Sequence, residues 1–559
     1  MHRFDREDRD RVTIRAYEII GRYDDTVELP RYDLAPAIEP AQAEGTNLGK
    51  RIGKVAAASA LALIFGELVS LAQTVALARL LSPAEVGMFA AGTVITMLLT
   101  TFVEGGLRSG LVQREDHVAD AAETVFRATL LNGVVVTLGA LAAAPVIGLL
   151  FHSRTIGLIA ATTSGFLLMF SLTNVPEALL QREFSVKRRV IVGPAVSVSF
   201  AVVSVVLAAC GFGVWSMVVG TYVSYVVWVI AVWWLARWRP GRGRATVRMW
   251  RELARFGSPV VVNMIGARAQ TMIEAAVVGR GLNSASLGFY RYGQRIAQIP
   301  VRFIVEVGAV SLFPAFARIA EEGDPSRLSG AYLRAIRLTT FGAAALSGLI
   351  IVFGEQTVVL VFGARWREAG AVVVAMAGLG LGKAWMSVGE EAIKGAGRTA
   401  LLNWQTAVEL GLGIGLLLLG IHFFGLIGVG LATSATMLIV GVLVTALARS
   451  VMGVRIRDLI RAVGPPLPAA AIAIGVTWVL EHRVLHSDHR PILLGLALLS
   501  TGVLAFVVLY LLVMYVLAPD IIVGIFRLAG RLTGRLRRNS GAPRAIIPNA
   551  RLRTSRETN

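Results

Sequence analysis

Blocks of about twenty apolar residues alternate with short polar segments along most of the chain. A helix that rises roughly 1.5 Å per residue needs about 20 residues to cross a bilayer, whereas a strand of a membrane barrel needs about half as many. The pattern predicts an all-α polytopic membrane protein with about fourteen transmembrane helices. The predicted spans are 54–78, 86–107, 124–151, 155–179, 190–210, 213–236, 256–279, 286–312, 334–361, 367–392, 400–421, 425–448, 465–480 and 491–517.

Composition supports this class and excludes a soluble globular protein. Of the 559 residues, 55% are hydrophobic and 16% are charged, and the mean hydropathy is +0.66. The formal net charge is +19, but most arginines stand between the apolar blocks, where they orient a membrane protein. We therefore expect no nucleic-acid partner. Because Cys210 is the single cysteine, an intrachain disulfide or a cysteine-based zinc site is excluded.

Positive residues are concentrated in alternate loops. Lys50 and Arg51 precede the first span and seven arginines lie within 237–255 after the sixth, whereas 211–213 carries no charge. The positive-inside rule then predicts a multi-pass inner-membrane protein with both termini in the cytoplasm. We expect 1–53 to be a disordered cytoplasmic tail and 521–559 a basic cytoplasmic tail on the anionic inner leaflet.

An internal repeat relates the two halves of the chain. The sequence RLLSPAEVGMFAAG, Arg79 to Gly92, aligns with RGLNSASLGFYRYG, Arg280 to Gly293, and 213–224 aligns with 425–436. A weaker match pairs Glu177 with Glu391. These matches predict two six-helix bundles, 54–245 and 246–452, related by a pseudo-two-fold axis along the membrane normal, with helices 13 and 14 in 453–520. Chance recurrence of small residues in membrane helices is the alternative.

Charged residues inside the spans are candidates for function, because charge in hydrocarbon is costly without a partner or a cavity. An arginine-lined cavity between two bundles suits an anionic head group, since guanidinium groups match phosphate oxygens. The alternatives are that arginines near span ends extend to the interface, and that deeper ones form structural salt bridges. The candidate substrate-binding cations are Arg268, Arg291, Arg295, Arg302 and Lys383, and the candidate ion-coupling carboxylates are Glu67, Glu104, Glu274 and Glu306.

Other signals indicate that the chain is not an enzyme. It has no phosphate-binding loop motif and no soluble region of about 100 residues that would house a sugar-nucleotide site. His482, His486 and His489 have a spacing that suits a metal on a helix, but they lie in a predicted exposed loop. We therefore expect no catalytic residue, no metal site and no cofactor.

Five segments within 50–450 have distinctive sequences. They are ALARLLSPAEVGMFA from Ala76, FVEGGLRSGLVQRE from Phe102, ALLQREFSVKRR from Ala178, ASLGFYRYGQRIAQIPVRFI from Ala285 and SLFPAFARI from Ser311. These segments resemble the polysaccharide-transporter branch of the MOP flippase superfamily, which contains the Wzx-type O-antigen and exopolysaccharide flippases.

The resemblance implies a V-shaped pair of bundles that rocks between inward and outward states. It implies that an undecaprenyl-pyrophosphate oligosaccharide moves from the cytoplasmic to the periplasmic leaflet for polysaccharide biosynthesis, driven by a proton or sodium gradient rather than by ATP. A polysaccharide polymerase or chain-length machinery would be a further partner. This chain departs from the family in having Glu274 and Glu104 where members often carry aspartate.

Three alternatives stay open. A lipid II flippase shares the fourteen-span plan and should be essential for growth. A MATE-like exporter of small cations would need an acidic cavity rather than one lined by arginine. A membrane-embedded polysaccharide polymerase or ligase should keep catalytic activity in detergent.

Overall fold

The computed structural model describes residues 45–183 and 188–524 as an all-helical chain, which confirms the predicted fold class. The side chains of 45–60, 63, 188–189, 259–260, 262–263, 267 and 300–311 lie outside the described set. The compact unit discussed below begins at Leu61. The helices are α1 (Gly45–Leu80), α2 (Pro83–Glu104), α3 (Leu107–Gln113), α4 (Val118–Leu150), α5 (Arg154–Thr163), α6 (Gly165–Arg182), α7 (Gly193–Ala209), α8 (Trp215–Ala236), α9 (Val247–Gly281), α10 (Ser284–Glu321), α11 (Pro325–Phe362), α12 (Arg367–Ala375), α13 (Gly378–Gly395), α14 (Gln405–Val451), α15 (Ile456–Val463), α16 (Pro466–Leu480) and α17 (Ile492–Leu517).

Each predicted span lies on one or two of these helices. Among the described residues, ten helical stretches are long and apolar enough to cross a membrane. One of them, Thr399–Val451, contains two predicted spans, and the predicted spans on α1, α9 and α10 are not among the ten. The count of fourteen therefore stays a prediction, as do the boundaries of the proposed bundles.

Glycine and helix breaks shape the spans in ways that hydropathy does not indicate. The fourth span divides into α5 and α6 at Ser164, and the tenth divides into α12 and α13 at Met376 and Ala377. In α14 the chain passes from the eleventh to the twelfth span at Gly425, whose φ of 58° and ψ of −132° lie outside the helical region. Glycine adopts such a conformation with little steric cost, so the two spans join without a longer loop.

Successive spans run in opposite directions, so the loops alternate between two ends of the molecule. We call the end that contains 81–82, 151–153, 211–213, 282–283, 363 and 422–425 the Ser82 end. The opposite end, which contains 105–117, 237–246, 322–324 and 396–404, is called the Arg108 end. The helices of 61–236 are called the first bundle, and those of 247–451 the second bundle.

Equivalent helices of the repeat begin in equivalent ways at the Ser82 end. Ser82 caps α2 in a reciprocal capping box, in which the Ser82 backbone N–H donates to Glu85 at 2.7 Å and the Glu85 N–H donates to Ser82 Oγ at 3.3 Å. Asn283 caps α10, where its Oδ1 accepts from the Ser286 N–H at 2.8 Å. Each cap satisfies backbone donors that the first turn of a helix leaves without partners.

The repeat-related glycines Gly87 and Gly288 bring α2 and α10 into direct backbone contact. A Cβ atom added to Gly87 would lie 1.7 Å from the carbonyl oxygen of Ser284, and one added to Gly288 would lie 2.0 Å from that of Pro83. Only residues without a side chain permit this approach, which places matching positions of the two bundles against each other.

At the Arg108 end the bundles touch through α3 and the start of α9. A Cβ added to Gly106 or to Gly257 would lie 2.4 Å from the other residue's carbonyl oxygen. Gly106 has a φ of 68°, and its backbone turn separates α2 from α3. Arg114 and Glu252 form an exposed ion pair of 3.3 Å across the same contact.

The linker between the bundles is fixed to α4 by three side chains. Glu123 Oε2 accepts from the Gly241 N–H at 2.7 Å, and Asp120 Oδ1 accepts from the Arg244 N–H at 2.7 Å. Thr124 Oγ1 accepts from the backbone N–H of Thr246, the N-cap of α9, at 3.3 Å. The linker therefore follows the first bundle up to the start of α9.

The last two spans pack on α11 rather than inside either bundle. Phe353 of α11 lies in one buried apolar cluster with Ala473 and Phe506. The Tyr510 hydroxyl donates to the carbonyl of Phe341 at 2.8 Å. Beyond α17, Arg337 Nη2 donates to Asp520 at 2.9 Å, and this bond lowers the pKa of the Asp520 carboxyl.

Replacement of Gly87 by alanine should destabilise the protein, because the added methyl group has no space between α2 and α10. Overpacking typically costs about 1–3 kcal/mol, so a clear fall in Tm is expected in detergent. Gly139→Ala is the control, since nothing lies within 4 Å of its Cβ position, and alanine favours a helix by up to about 1 kcal/mol. Equal Tm values for the two variants would contradict the close contact.

Candidate functional site

A polar cavity of about 260 Å³ lies between three helices of the first bundle and α10 of the second. Hydroxyl and amide groups form much of its wall, and one guanidinium group enters it from α10. Because both bundles line it, relative motion of the bundles changes its shape. The lining residues are Ser70, Gln73, Val196, Ser197, Phe200, Thr221, Ser224 and Arg295.

Arg295 connects α10 to α1 across this cavity. Its Nη2 donates to Ser70 Oγ and, at 3.4 Å, to the Ser70 carbonyl oxygen. The side chain is exposed, so the guanidinium group is accessible from the cavity. A guanidinium group has five N–H donors. A negatively charged phosphate oxygen would accept a stronger hydrogen bond from it than the neutral hydroxyl and carbonyl oxygens of Ser70 do.

Two further hydroxyl groups present acceptor oxygens to the cavity. The Thr221 hydroxyl donates to the Met217 carbonyl at 2.8 Å, and the Ser224 hydroxyl donates to the Thr221 carbonyl at 2.7 Å. Because each hydroxyl hydrogen is used within α8, the oxygen keeps its lone pairs for an incoming donor. The cavity thus combines a cation with hydroxyl acceptors.

The predicted carboxylate Glu67 lies on the same face of α1 as Ser70. The two residues are three apart, one turn of helix, and Glu67 is exposed. This position places a carboxylate on the helix face that carries the acceptor of Arg295.

A second polar group surrounds Glu274 in the second bundle. Glu274 Oε1 accepts from Gln270 Nε2 at 3.2 Å, and Oε2 accepts from the Tyr290 hydroxyl at 3.0 Å. Tyr290 is fully buried and its hydroxyl oxygen accepts from Gln294 Nε2 at 3.2 Å. Glu274 also lines a small cavity of about 20 Å³ with residues of α14, among them Thr433. The carboxylate is thus held by neutral donors rather than by a described cation.

The other predicted residues have separate positions. Arg291 turns back to α9, where Nη2 donates to the Thr271 carbonyl at 3.3 Å, and Arg268 is half-buried on α9. Lys383 and Glu104 are half-buried and form no hydrogen bond or ion pair with other described residues. The side chains of Arg302 and Glu306 lie outside the described residues, so their predicted roles stay predictions.

The cavity wall formed by α7 and α8 is not apparent from the sequence. Ser197, Thr221 and Ser224 stand in strongly apolar helices and carry no charge. The available signal is that Thr221 and Ser224 fall within 213–224, one of the repeated segments. Serine and threonine are common in membrane helices, so this signal alone does not single out a site.

Arg108, which directly follows the predicted span 86–107, forms an ion pair with a buried carboxylate. Its Nη2 donates to Glu177 Oε2 at 3.2 Å and to Gln181 Oε1 at 3.3 Å. Trp228 Nε1 donates to the other Glu177 oxygen at 2.9 Å. Glu177 is only 3% exposed, so its charge depends on these donors.

The repeat-related Glu391 has an equivalent arrangement in the second bundle. Lys394 Nζ donates to Glu391 at 3.0 Å and to Glu390 at 3.1 Å, and Gln405 Nε2 donates to Glu390 at 2.6 Å. Glu177 and Glu391 are therefore both buried acids with a basic partner toward the Arg108 end, which supports the weakest of the three repeat matches.

The histidines of the loop after α16 have local structural contacts. His482 stacks on Trp478, and His489 Nδ1 lies 2.8 Å from Asp488 Oδ1. Buried Glu481 accepts from the Ser487 N–H at 2.9 Å. No group of three potential metal ligands occurs within the part of the chain that the structure describes.

Comparisons with known sequences give one family match and several relatives. The family profile described as "Polysaccharide biosynthesis protein" matches residues 76–371, more than half of the chain. The succinoglycan biosynthesis transport protein ExoT of Rhizobium meliloti is 25% identical over 60% of this chain and 67% of its own length. The lipopolysaccharide biosynthesis protein WzxC of Escherichia coli is 22% identical over 58% of this chain and 65% of its own length. The chain thus spans about two thirds of these relatives.

Solved structures show the fold class. The lipid II flippase MurJ in an inward closed conformation has a TM-score of 0.67 at 16% identity, covering 83% of this chain and 99% of MurJ. An inward-facing MATE family multidrug transporter of the MOP superfamily has a TM-score of 0.57 at 18% identity, covering 69% of this chain and 94% of its own. The fold of this chain is therefore similar to the folds of these two transporters.

Glu177→Ala should lower the stability of the protein strongly, because it leaves Arg108 and the Trp228 N–H without their buried acceptor. Loss of one partner of a buried pair typically costs about 3–5 kcal/mol. Glu252→Ala is the matched control, since it removes the exposed pair with Arg114, and such pairs contribute at most about 1 kcal/mol. Similar Tm values for both variants in detergent would contradict the importance of the buried pair.

Proposed function

The chain belongs to the polysaccharide biosynthesis protein family, and from this premise we propose that it flips a lipid-linked oligosaccharide between membrane leaflets. The substrate would be an undecaprenyl-pyrophosphate repeat unit that moves from the cytoplasmic to the periplasmic leaflet of the bacterial inner membrane. The names of its relatives support transport in polysaccharide biosynthesis rather than catalysis.

The observation that carries this proposal is the position of Arg295. This arginine belongs to the second bundle but bonds to α1 and enters a hydroxyl-lined cavity of the first. An anion that replaces Ser70 as its acceptor would contact both bundles at once. Binding would then act directly on the interface that an alternating-access transporter must rearrange.

The cavity chemistry matches the polar part of such a lipid. Guanidinium groups bind phosphate oxygens with two parallel hydrogen bonds, which suits the pyrophosphate. The acceptor oxygens of Thr221 and Ser224 suit sugar hydroxyl donors beside it. The other candidate cations, Arg268, Arg291, Arg302 and Lys383, would contact the anion at other stages of the transport cycle.

We assign the Arg108 end to the cytoplasm and the Ser82 end to the periplasm. The linker 237–246 at the Arg108 end contains four arginines, whereas 211–213 at the Ser82 end contains no charged residue. Positive loops stay on the cytoplasmic side during insertion, so this asymmetry supports cytoplasmic termini.

We propose that Glu274 binds the coupling ion. Its carboxylate receives two neutral hydrogen bonds and lines a small cavity together with Thr433, so a proton or a sodium ion would find oxygen ligands there. Glu67, Glu104 and Glu306 are the other candidates, and no further cofactor enters the proposal.

The function is tested by gene deletion, scored for secreted and surface polysaccharide and for lipid-linked oligosaccharide in extracts. The expected result is loss of polymer together with accumulation of complete repeat units on the cytoplasmic leaflet. Accumulation of lipid II with arrest of growth would instead indicate the lipid II flippase. Normal polymer and normal lipid pools, in a strain without other flippases of this family, would contradict the proposal.

Arg295→Ala should reduce polymer output about 10- to 100-fold in the complemented deletion strain. The estimate corresponds to the loss of a charge-assisted hydrogen bond of about 1.5–3 kcal/mol. Arg295→Lys should be intermediate, because an ammonium group keeps the charge without the two-pronged geometry. Arg154→Ala, which removes an exposed arginine at the Ser82 end, is the control. Full output from Arg295→Ala at normal membrane abundance would remove the cavity assignment.

Glu274→Gln should uncouple transport from the ion gradient. In proteoliposomes that contain a fluorescent undecaprenyl-pyrophosphate oligosaccharide, an imposed proton or sodium gradient should accelerate flipping by the unsubstituted protein but not by this variant. Glutamine keeps the shape of the side chain and lacks the negative charge. The exposed Glu252→Gln serves as control, and a gradient response that survives in Glu274→Gln would exclude Glu274 as the coupling group.

A further inference from the structure

At the Ser82 end, two arginine side chains form hydrogen bonds between the bundles. One arginine belongs to the first bundle and bonds to the second, and the other belongs to the second bundle and bonds to the first. Arg79 lies in the last turn of α1, and its Nε donates to the Val361 carbonyl of α11 at 2.8 Å, while Nη2 donates to that of Leu360. Arg280 lies in the last turn of α9, and its Nη1 donates to the Leu150 carbonyl of α4 at 2.7 Å. The sequence repeat pairs Arg79 with Arg280.

The carbonyl groups that accept these hydrogen bonds occupy equivalent positions in the two bundles, as the two arginines do. The helices α4 and α11 are the third and ninth spans, and all three carbonyls belong to their last turns. The last four carbonyls of a helix have no helical donor and carry the negative end of the helix dipole. In both halves, an arginine from the opposite bundle donates to these carbonyls, so the two contacts are reciprocal.

Buried apolar residues support each arginine in the same reciprocal manner. Leu77, two residues before Arg79, is fully buried in a cluster with Phe362 of α11. Val278, two residues before Arg280, is fully buried in a cluster with Ile147 of α4, against which Phe151 packs. These clusters hold the end of α1 against α11 and the end of α9 against α4.

The two contacts differ in one respect. On the α11 side, Trp366 Nε1 donates to the Ala78 carbonyl at 2.7 Å, and Arg365 donates to the Arg79 carbonyl. These bonds use the backbone of α1 and do not require the Arg79 side chain. The first arginine after α4 is Arg154, which is exposed and bonds to no other described residue.

We infer that Arg79 and Arg280 form a paired latch that holds the bundles together at the Ser82 end. Opening of the cavity toward that end then requires release of both arginines from the helix ends that they cap. Release of Arg280 has the larger effect, because the Trp366 and Arg365 bonds still hold α1 when the Arg79 side chain is absent. The inference rests on the proposed alternating access, but the latch is measurable without a substrate.

The test measures a distance across the Ser82 end by double electron–electron resonance in the full chain. Spin labels are attached to the native Cys210 in the first bundle and to Phe423→Cys in the second, both of which are exposed positions at the Ser82 end. The variants are Arg79→Ala, Arg280→Ala and the double replacement. Arg154→Ala is the matched control, and size-exclusion elution in detergent monitors folding.

The latch predicts a dominant short distance in the labelled chain without these replacements and in Arg154→Ala. More than half of the population should move to longer distances in the double variant, with a larger shift for Arg280→Ala than for Arg79→Ala. An unchanged distribution in a folded double variant, or an equal shift in Arg154→Ala, would overturn the inference. If the double variant does not fold, the two single variants decide by the same criterion. Because no substrate is present, failure of the flippase assignment would leave this result unaffected.

Discussion

Hydrocarbon offers no hydrogen-bond partner, so a polar group in a spanning helix must find its partner within the protein or in a cavity. In this chain that requirement brings particular helices together. Glu177 joins α6 to α8 and to Arg108, and Glu274 joins α9 to α10 through Tyr290. Arg295 fulfils the same requirement across the two bundles by bonding to Ser70. These few side chains therefore help to determine which helices pack together and where a cavity remains.

The sequence predicts most of the fold because span length follows directly from bilayer thickness. The predicted span 213–236 and the helix Trp215–Ala236 agree within two residues. The repeat also aligns Gly87 with Gly288, although only the structure shows that they touch. The breaks at Ser164 and Met376 and the sharp passage at Gly425 depend on local backbone geometry. Such geometry leaves the average hydropathy of a segment unchanged, so it is not predictable from that average.

The charged residues of the candidate site can be recognised in the sequence. Arg295 and Glu274 stand out in apolar segments, and each lines a cavity in the structure. Arg291 and Arg295 are four residues apart on one helix face, but their long side chains turn to α9 and α1 respectively. Flexible side chains thus choose partners that helical spacing alone does not identify. The serine and threonine residues of α7 and α8 are equally difficult to identify from the sequence, because these residue types are common in membrane helices.

The reciprocal contacts of Gly87 with Gly288, and of Arg79 and Arg280 with opposite helix ends, have the form of an isologous dimer interface. In a true homodimer every substitution would act twice, at both copies of each contact. Here the two halves lie in one polypeptide, so a substitution can change one contact without changing its counterpart in the other half. The bonds of Trp366 and Arg365 on one side are an example. Because the two bundles belong to one chain, their interface need not keep the symmetry that a pair of identical subunits would impose. The two bundles can therefore acquire different roles.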